Sequence, residues 1–403
     1  MESWKKKFAI IWTGQFFSIL SSTVVGYSVI FWLSLETGSA EILSLAAIAS
    51  LLPQAVAGLF TGVYVDRWDR KKVMIFADSF IALCTLGLAV LFWTGTARIW
   101  HIYILLACRS VGSAFHMPAM QASVPLLAPQ SQLARIAGVN QMIQSVCGIA
   151  GPALGALFIG LFNMGTVLML DVAGAVLACT SLLFVKIPRP EKESSLPPDV
   201  FREVKDGFRE IYSKKGLAPL FAFSVGVTFF IMPVSVMFPL MTLDHFSGDA
   251  FGMSLVEMLW SGGTLLGGAV MGMRGYKANK VLLINAMYIV IGVCLMLSGL
   301  LSSGMFAVFC AFTAVTGVAG AVYNSSFIAV VQSNVDPAVL GRVLSVFFSL
   351  SLMPSAIGLL GTGFLAENVG ITTTFVLAGV AIMAIGLGSF ALPSMKSLDS
   401  SVR

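Results

Sequence analysis

A few charged side chains lie inside long apolar stretches of this sequence, where they can bind and release protons. Asp78 and Glu257 are the two candidate carboxyl groups for this chemistry, and Arg109 is a charged residue within the fourth apolar stretch. A buried carboxyl group can exchange a proton between the two faces of a membrane, because burial makes its charged form costly. Arg109 needs a partner for its charge, and helix carbonyls, Gln15 or a carboxylate are the candidates. The alternative is a structural role, which is favoured for Asp78 and for Asp171 because each lies near the end of an apolar stretch.

A dense cluster of charges joins two of the apolar stretches. The run 62–72 reads Gly-Val-Tyr-Val-Asp-Arg-Trp-Asp-Arg-Lys-Lys. Each flanking stretch is long enough to cross a bilayer as a helix, which needs about 20 apolar residues, so the cluster must lie at a water interface. It is either an anchor on the positively charged side of the membrane or part of a gating device. The residues predicted to form such a gate are Gly62, Asp66, Arg67, Arg70 and Lys71.

A Gly/Pro pattern interrupts the apolar stretch at 137–161. It consists of Gly148, Gly151, Pro152 and Gly155, spaced Gly-x-x-Gly-Pro-x-x-Gly. Small residues allow close packing of membrane helices, and proline frees a carbonyl group and bends a helix. The pattern therefore predicts either ordinary tight packing or a bend in the helix.

The second half of the sequence is rich in aromatic and Met side chains within its apolar stretches. A cavity lined by such side chains with few charges suits a bulky amphiphile better than a sugar or an amino acid. The alternative is that these side chains face lipid. The residues predicted to contact a substrate, including sparse polar ones, are Gln15, Tyr27, Phe229, Met237, Trp260, Tyr323 and Asn324.

The composition excludes several classes of protein. Only 11% of the residues are charged, against about 25% in a soluble domain, so most of the surface faces lipid. The six cysteines and three histidines have no metal-ligand spacing, and no paired carboxylates indicate an intramembrane enzyme. No phosphate-binding Gly-x-x-x-x-Gly-Lys loop occurs, so we expect no bound metal or cofactor and an ion gradient as the energy source. The bases follow the loops, which argues against nucleic acid as a partner.

Successive apolar runs predict an all-α membrane protein with twelve transmembrane helices. The predicted spans are 8–35, 42–65, 73–93, 99–117, 137–161, 166–185, 217–243, 255–273, 281–301, 305–331, 343–366 and 371–392.

The spans fall into two related halves. A shift of 207 positions places Leu133-Ala134-Arg135 on Leu340-Gly341-Arg342. Between the halves, a Pro-rich segment precedes a stretch with apolar residues every three to four positions, which predicts an amphipathic helix. We therefore expect an N-terminal six-helix bundle at 1–185, a cytoplasmic linker at 186–216, a C-terminal bundle at 217–392 and a tail at 393–403.

The distribution of bases predicts the orientation. With the N-terminus in the cytoplasm, the outer loops contain only Arg98, and nearly all other bases fall on the inner side. This asymmetry predicts that both termini are cytoplasmic.

The spacing Gly-x-x-x-Asp-Arg-x-x-Arg-Lys at 62–71 resembles the loop 2–3 signature of the major facilitator superfamily. Further likeness lies at 109–119, 170–176, 237–240 and 340–343. Arg109-x-x-Gly112 resembles the helix-4 motif of the superfamily, and the Gly/Pro pattern resembles the antiporter signature of helix 5, apart from Cys147 and Ala156. Over nearly the full chain, the sequence is similar to the drug:proton antiporter-3 group and its macrolide efflux proteins.

This resemblance implies two pseudo-symmetric six-helix bundles that alternate between inward and outward access. It implies that Asp66 holds the inner side shut by facing Arg70, and that Gly62 permits the close contact. It also implies that Arg109 takes part in coupling protons to substrate and that the fifth helix bends at Gly151 and Pro152.

The function expected from residues and resemblance together is proton-coupled export of bulky amphiphiles, most of all macrolide-type antibiotics. The alternative is export of an endogenous metabolite such as a siderophore or a lipid-like molecule. The expected location is the cytoplasmic membrane of a bacterium. We leave open a separate ATP-binding or accessory protein as a partner, and otherwise expect a monomer in the lipid bilayer.

Overall fold

The computed structural model describes residues 2–65, 68–129, 132–185, 187, 200–273, 279–335, 339–392, 395 and 398. All regular secondary structure in these ranges is helical, which confirms the predicted all-α membrane fold. Twelve of the described helices have at least 20 residues. Ten of these meet a criterion of length and apolar composition for crossing a membrane. The other two, Ile99–Leu127 and Ala250–Met273, contain charged or small polar residues that lower their hydropathy.

The chain divides into two compact units. The first unit comprises Met1–Leu33 and Ala46–Pro198, and the second comprises Ser34–Leu45 and Asp199–Arg403. The helices of the first half of the chain are α1 (Glu2–Thr37), α2 (Ala40–Val65), α3 (Arg70–Trp93), α4 (Ile99–Leu127), α5 (Leu133–Leu161) and α6 (Met164–Leu183).

The second half of the chain begins with a short helix and continues with six long ones. Its helices are α7 (Val200–Ser213), α8 (Leu217–Val236), α9 (Phe238–Leu240), α10 (Ala250–Met273), α11 (Lys280–Leu300), α12 (Phe306–Asn334), α13 (Leu340–Val369) and α14 (Ile371–Phe390). A π-helical turn, Met241–His245, follows α9. The predicted span at 217–243 is therefore broken at Met237, two residues before Pro239, because proline cannot donate a backbone hydrogen bond.

In the first unit, α3 packs against both α4 and α6. At one end of these helices, a buried apolar cluster includes Trp12, Met74, Ala119 and Leu182. Polar caps fix the helix starts: the carboxylate of Asp69 accepts a hydrogen bond from the amide of Lys72 at 3.3 Å and begins α3. This packing sets the rotation of α3, α4 and α6 and hence which of their side chains meet inside the unit.

In the second unit, close backbone approaches hold pairs of helices together. A Cβ atom at Gly292 of α11 would lie 2.7 Å from the carbonyl oxygen of Gly379 on α14, so the two helices touch along their backbones. The short helix α7 lies within the stretch predicted to be amphipathic and packs against α13, with Ile211 buried. Residues 188–199 of the predicted linker and most of the predicted tail lie outside the described residues.

Candidate functional site

The interior of the first unit contains an ion pair centred on Asp171 of α6. The guanidinium of Arg109 on α4 donates to its carboxylate through Nη1. The hydroxyl of Ser22 on α1 donates to Oδ1, and the hydroxyl of Thr85 on α3 donates to Oδ2 at 3.0 Å. Arg109 also donates through Nη2 to the carbonyl oxygen of Ser22 at 3.2 Å. One carboxylate therefore joins four helices.

The ion pair is shielded from the surroundings. The side chain of Arg109 is 14% exposed and that of Asp171 is 3% exposed. A buried charge is costly unless it is paired and hydrogen-bonded, and here both requirements are met. Three donors occupy three of the roughly four lone-pair positions of the carboxylate. Arg109 thus has the carboxylate partner that the sequence left open, and Gln15 does not provide it.

Two residues form a second buried ionisable pair. Nε2 of His116 on α4 lies 3.3 Å from Oδ1 of Asp78 on α3. The two side chains are 10% and 6% exposed. Next to Asp78, the hydroxyl of Ser79 lies 3.8 Å from the thiol of Cys179 on α6. A candidate acid from the sequence therefore lies beside an imidazole group.

The described part of the 62–72 run contacts the ends of neighbouring helices. Arg70 donates through Nη1 to the carbonyl oxygen of Ala122 on α4 at 2.5 Å. Lys71 donates through Nζ to the carbonyl oxygens of Val185 at 2.9 Å and Leu183 at 3.4 Å, where α6 ends. Cations at helix C-termini complement the helix dipole and its unpaired carbonyl groups.

The other residues predicted to form the gate are Gly62, Asp66 and Arg67. Gly62 lies within α2. Asp66 and Arg67 lie outside the described residues, so their proposed contacts stay a prediction.

The helix-5 pattern packs α5 against α1. A Cβ atom at Gly151 would lie 2.5 Å from Cγ2 of Thr23 on α1. At Gly155 it would lie 3.2 Å from the carbonyl oxygen of Val24. These positions have no room for a side chain.

The other two members of the pattern also lie within α5. Gly148 is half-buried, and Pro152 is buried inside the helix. The geometry accounts for Gly151 and Gly155 by close packing, while bending at Pro152 during transport stays a prediction.

The candidate substrate residues of the first unit lie in different surroundings. Gln15 on α1 is fully buried. Its two side-chain polar atoms have no hydrogen-bond partner among the described residues. Tyr27 packs near Phe31, with ring centroids 5.8 Å apart, and its ring approaches Gly151. Substrate contact by either side chain stays a prediction.

The aromatic candidates of the second unit belong to separate groups of rings among the described residues. Phe229 contacts the ring of Phe230 at 5.1 Å. Trp260 contacts Phe238 at 5.5 Å, beside the fully buried Met237.

The polar candidates of the second unit differ in exposure. Tyr323 lies 5.1 Å from Tyr288 between ring centroids, while Asn324 on the same helix is exposed. Glu257 on α10 is half-buried and has an interaction partner. None of these arrangements tests the predicted role of these side chains in binding substrate or coupling protons.

The sequence interpretation missed the roles of Ser22, Thr85 and His116. It treated His116 as one of three scattered histidines, because its partner Asp78 is on another helix. A signal was nevertheless present. Polar residues recur seven positions apart on α1, α3 and α4, and this spacing places them on one helix face.

Among the described residues, each half of the chain has six long helices, and a buried ion pair lies inside the first unit, as in a multi-span membrane protein. The sequence model described as Major Facilitator Superfamily matches residues 11–304. The chain belongs to this family, as the resemblance implied, and is therefore a transporter rather than an enzyme.

The chain is similar to several named efflux proteins along 80% or more of its length. It is 35% identical over 398 residues to "Macrolide efflux protein A" of Streptococcus pyogenes, covering 98% of each chain. It is 36% identical over 323 residues to the protein of the same name of Enterococcus faecalis, covering 80% of this chain and 100% of that one. It is 26% identical over 405 residues to "Multidrug efflux pump Tap" of Mycobacterium tuberculosis, covering 96% of this chain and 95% of the relative.

Solved transporter structures share the fold. A transporter of the POT family superposes with a TM-score of 0.75 at 12% identity, covering 95% of both chains. The nucleoside transporter NupG superposes with a TM-score of 0.69 at 14% identity, covering 95% of this chain and 99% of that one. At such low identity, these likenesses show the fold alone.

Proposed function

We propose that the protein exports bulky amphiphilic compounds, macrolide-type antibiotics first among them, in exchange for protons. The observation that carries the substrate class is the 35% identity with Macrolide efflux protein A along 98% of both chains. The mechanism is alternating access, and the proton gradient supplies the energy without a bound cofactor.

Arg109 and Asp171 are the proposed link between protons and helix packing. Their ion pair is joined by hydrogen bonds to α1 and α3 as well as to α4 and α6. The strength of a buried pair depends on the charges near it, because little water screens them. A proton that binds nearby therefore changes the relative free energy of two arrangements of the four helices.

The proposed location is the cytoplasmic membrane of a bacterium, with both termini in the cytoplasm and a single chain as the working unit. The distribution of bases and the bacterial relatives support this proposal. The proposed inner gate pairs Asp66 with Arg70. It is supported by the position of Arg70 and Lys71, which reach carbonyl groups on α4 and beyond the end of α6.

Transport into proteoliposomes tests the proposal directly. With an acid-inside pH gradient, vesicles containing inside-out protein should accumulate erythromycin, and a protonophore that collapses the gradient should abolish accumulation. A panel with ethidium and a siderophore, measured in the same vesicles, defines the substrate class. Gradient-independent accumulation would contradict proton antiport.

Arg109→Ala tests the coupling role within cells. This variant should lose macrolide resistance while remaining in the membrane fraction, because Asp171 loses its cationic partner. Arg98→Ala is the matched control, since Arg98 is exposed at the N-terminus of the same helix. Full resistance in Arg109→Ala would contradict the proposed role of the ion pair.

Export of an endogenous metabolite makes a different prediction for a deletion strain. Such a strain would grow poorly under iron limitation if the cargo were a siderophore, with unchanged macrolide sensitivity. The proposed function predicts the reverse result, namely increased macrolide sensitivity and normal growth under iron limitation.

A further inference from the structure

Asp78 and His116 have buried polar atoms that receive no hydrogen bond from the described residues of the unit. Nε2 of His116 lies 3.3 Å from Oδ1 of Asp78, at ion-pair distance. Nε2 of His116 and Oδ2 of Asp78 are buried and have no hydrogen-bond partner among the described residues. Buried polar groups are nearly always hydrogen-bonded, so each exception calls for an explanation.

The pair lies in register with the ion pair of Arg109 and Asp171. On α4, His116 follows Arg109 by seven residues, and on α3, Asp78 precedes Thr85 by seven. Seven residues of α-helix are about two turns and a rise of about 10 Å, so both members of each set share a helix face. Because α3 and α4 run in opposite directions, Thr85 and Arg109 form one polar layer, and Asp78 and His116 form a second.

The helix α1 continues the same pattern. Gln15 precedes Ser22 by seven residues, and Ser22 belongs to the layer of Arg109. The fully buried side chain of Gln15 has no hydrogen-bond partner for Oε1 or Nε2 among the described residues. Three helices therefore place polar groups at two depths inside one unit.

Other ionisable groups lie on the elements that pack against the pair. On α6, the thiol of Cys179 is close enough to Asp78 for an electrostatic interaction, and it lies 3.8 Å from the hydroxyl of Ser79. At the start of α3, Arg70 donates to the carbonyl of Ala122 and lies about two turns from Asp78. Arg109 and Asp171 form the other layer, and on α1 the corresponding residue, Gln15, carries no charge.

We propose that Asp78 and His116 form the proton-binding site of the transporter. This inference rests on the proposed proton antiport and names the site that carries the proton. Asp171 already accepts hydrogen bonds from three groups, whereas the pair has buried atoms that are free to bind a proton. The proton adds to Nε2 of His116, and the resulting N–H faces the carboxylate of Asp78.

The step balances in charge. With a neutral imidazole, the pair carries one negative charge, and binding of one proton makes it neutral overall. Release of the proton breaks the same N–H bond and restores the negative charge. No other bond changes. The charge seen by Arg109, about 10 Å away along α4, therefore changes by one unit in each cycle.

Two transport modes in proteoliposomes separate proton coupling from substrate binding. His116→Gln and Asp78→Asn should reduce erythromycin accumulation driven by a pH gradient about tenfold or more, because the driving ion no longer binds. Both variants should keep exchange of labelled for unlabelled erythromycin, measured at equal pH on both sides, to within about twofold, since this exchange needs no net proton movement. His101→Gln is the matched control on α4, because its ring lies at the exposed helix start and accepts a hydrogen bond from the Arg98 amide at 2.9 Å.

Each outcome has a distinct meaning. If wild-type protein shows no gradient-driven accumulation, the proposed antiport is wrong. If wild-type protein does and His116→Gln matches it across the pH range, antiport stands and the assignment of this pair is overturned. Loss of both modes in folded variants would also overturn the assignment, because it would indicate a role in packing.

Infrared difference spectra give a second test that does not need transport. Acidification of the wild-type protein should change the carboxyl or imidazole bands of this pair, and the change should be absent from both Asp78→Asn and His116→Gln. Identical spectra in the wild-type protein and both variants would overturn the proposal.

Discussion

Ser28 on α1 donates a hydrogen bond to the carbonyl oxygen of Gly155 on α5 at 3.3 Å. The contact requires that the two backbones lie close together, and a Cβ atom at Gly155 would be 3.2 Å from the carbonyl oxygen of Val24. Close backbone contact of this kind is a main source of stability between membrane helices, where the lipid is as apolar as the side chains.

Gly155→Val should therefore destabilise the first unit. Overpacking of a tight contact costs about 1–3 kcal/mol, and here the added side chain meets backbone that cannot rotate away. The midpoint of thermal unfolding of the purified protein in detergent measures the effect. Gly160→Ala is the control on the same helix, because nothing lies within 4 Å of a Cβ atom there. An unchanged midpoint in Gly155→Val would mean that α1 and α5 separate easily.

Asp171→Asn should be more damaging than the loss of both charges together. Removal of one member of a buried pair costs about 3–5 kcal/mol, because the other charge is left without a partner. The double variant Arg109→Gln/Asp171→Asn should recover part of the lost stability. A double-mutant cycle on the unfolding midpoint measures this coupling. Additive losses in the double variant would show that the two groups do not stabilise each other.

Glu367 of α13 should hold the first turn of α2. Its Oε1 accepts hydrogen bonds from the hydroxyl of Ser39 at 2.5 Å and from the amide of Glu41 at 3.2 Å. A carboxylate at a helix N-terminus satisfies free amide groups and interacts favourably with the helix dipole. Glu367→Ala should therefore speed hydrogen exchange at 40–43. Glu36→Ala is the control, because Glu36 is an exposed acid just before this segment, and equal exchange in both variants would contradict the prediction.

Tyr288 should stabilise the second unit through its hydroxyl group. The side chain is fully buried, and its hydroxyl lies 2.7 Å from the hydroxyl of Ser224 on α8. Tyr288→Phe removes this hydrogen bond and should lower stability by about 1 kcal/mol. Thermal unfolding of the purified protein measures the loss, with Tyr212→Phe as the control because Tyr212 is 75% exposed. An effect of the control as large as that of Tyr288→Phe would contradict this account.

Much of the architecture follows from the sequence, because each membrane helix needs a long apolar segment of its own. The twelve predicted spans correspond to the twelve long helices, and several helices extend beyond them. For example, α4 continues to Leu127, ten residues past the predicted end at 117. The extension contains Pro118, Gln121 and Ser123, which lower its hydropathy, while its residues Ala119 and Leu127 are buried in the apolar cluster.

The pairing of charges could be predicted only in part. The sequence predicted that Arg109 has a partner for its charge. It did not identify Asp171 as that partner, because the pairing depends on how α4 and α6 are rotated toward each other. The sequence also favoured a structural role for Asp171, because this residue lies near the end of an apolar stretch. The packing of α3 against both α4 and α6 sets this rotation. This packing depends on many small side-chain contacts, and no single residue in the sequence predicts it.

The docking of α7 on α13 decides where the chain can be cut without loss of structure. The buried Ile211 belongs to the larger segment of the second unit, which runs from Asp199 to Arg403. Two co-expressed fragments that separate ahead of Asp199 would keep α7 on the same fragment as α13, its packing partner. A break after Ser213 would leave α7 on the N-terminal fragment, separated from α13. A helix of only about four turns is marginal on its own in water, so α7 would lose the surface that keeps it folded.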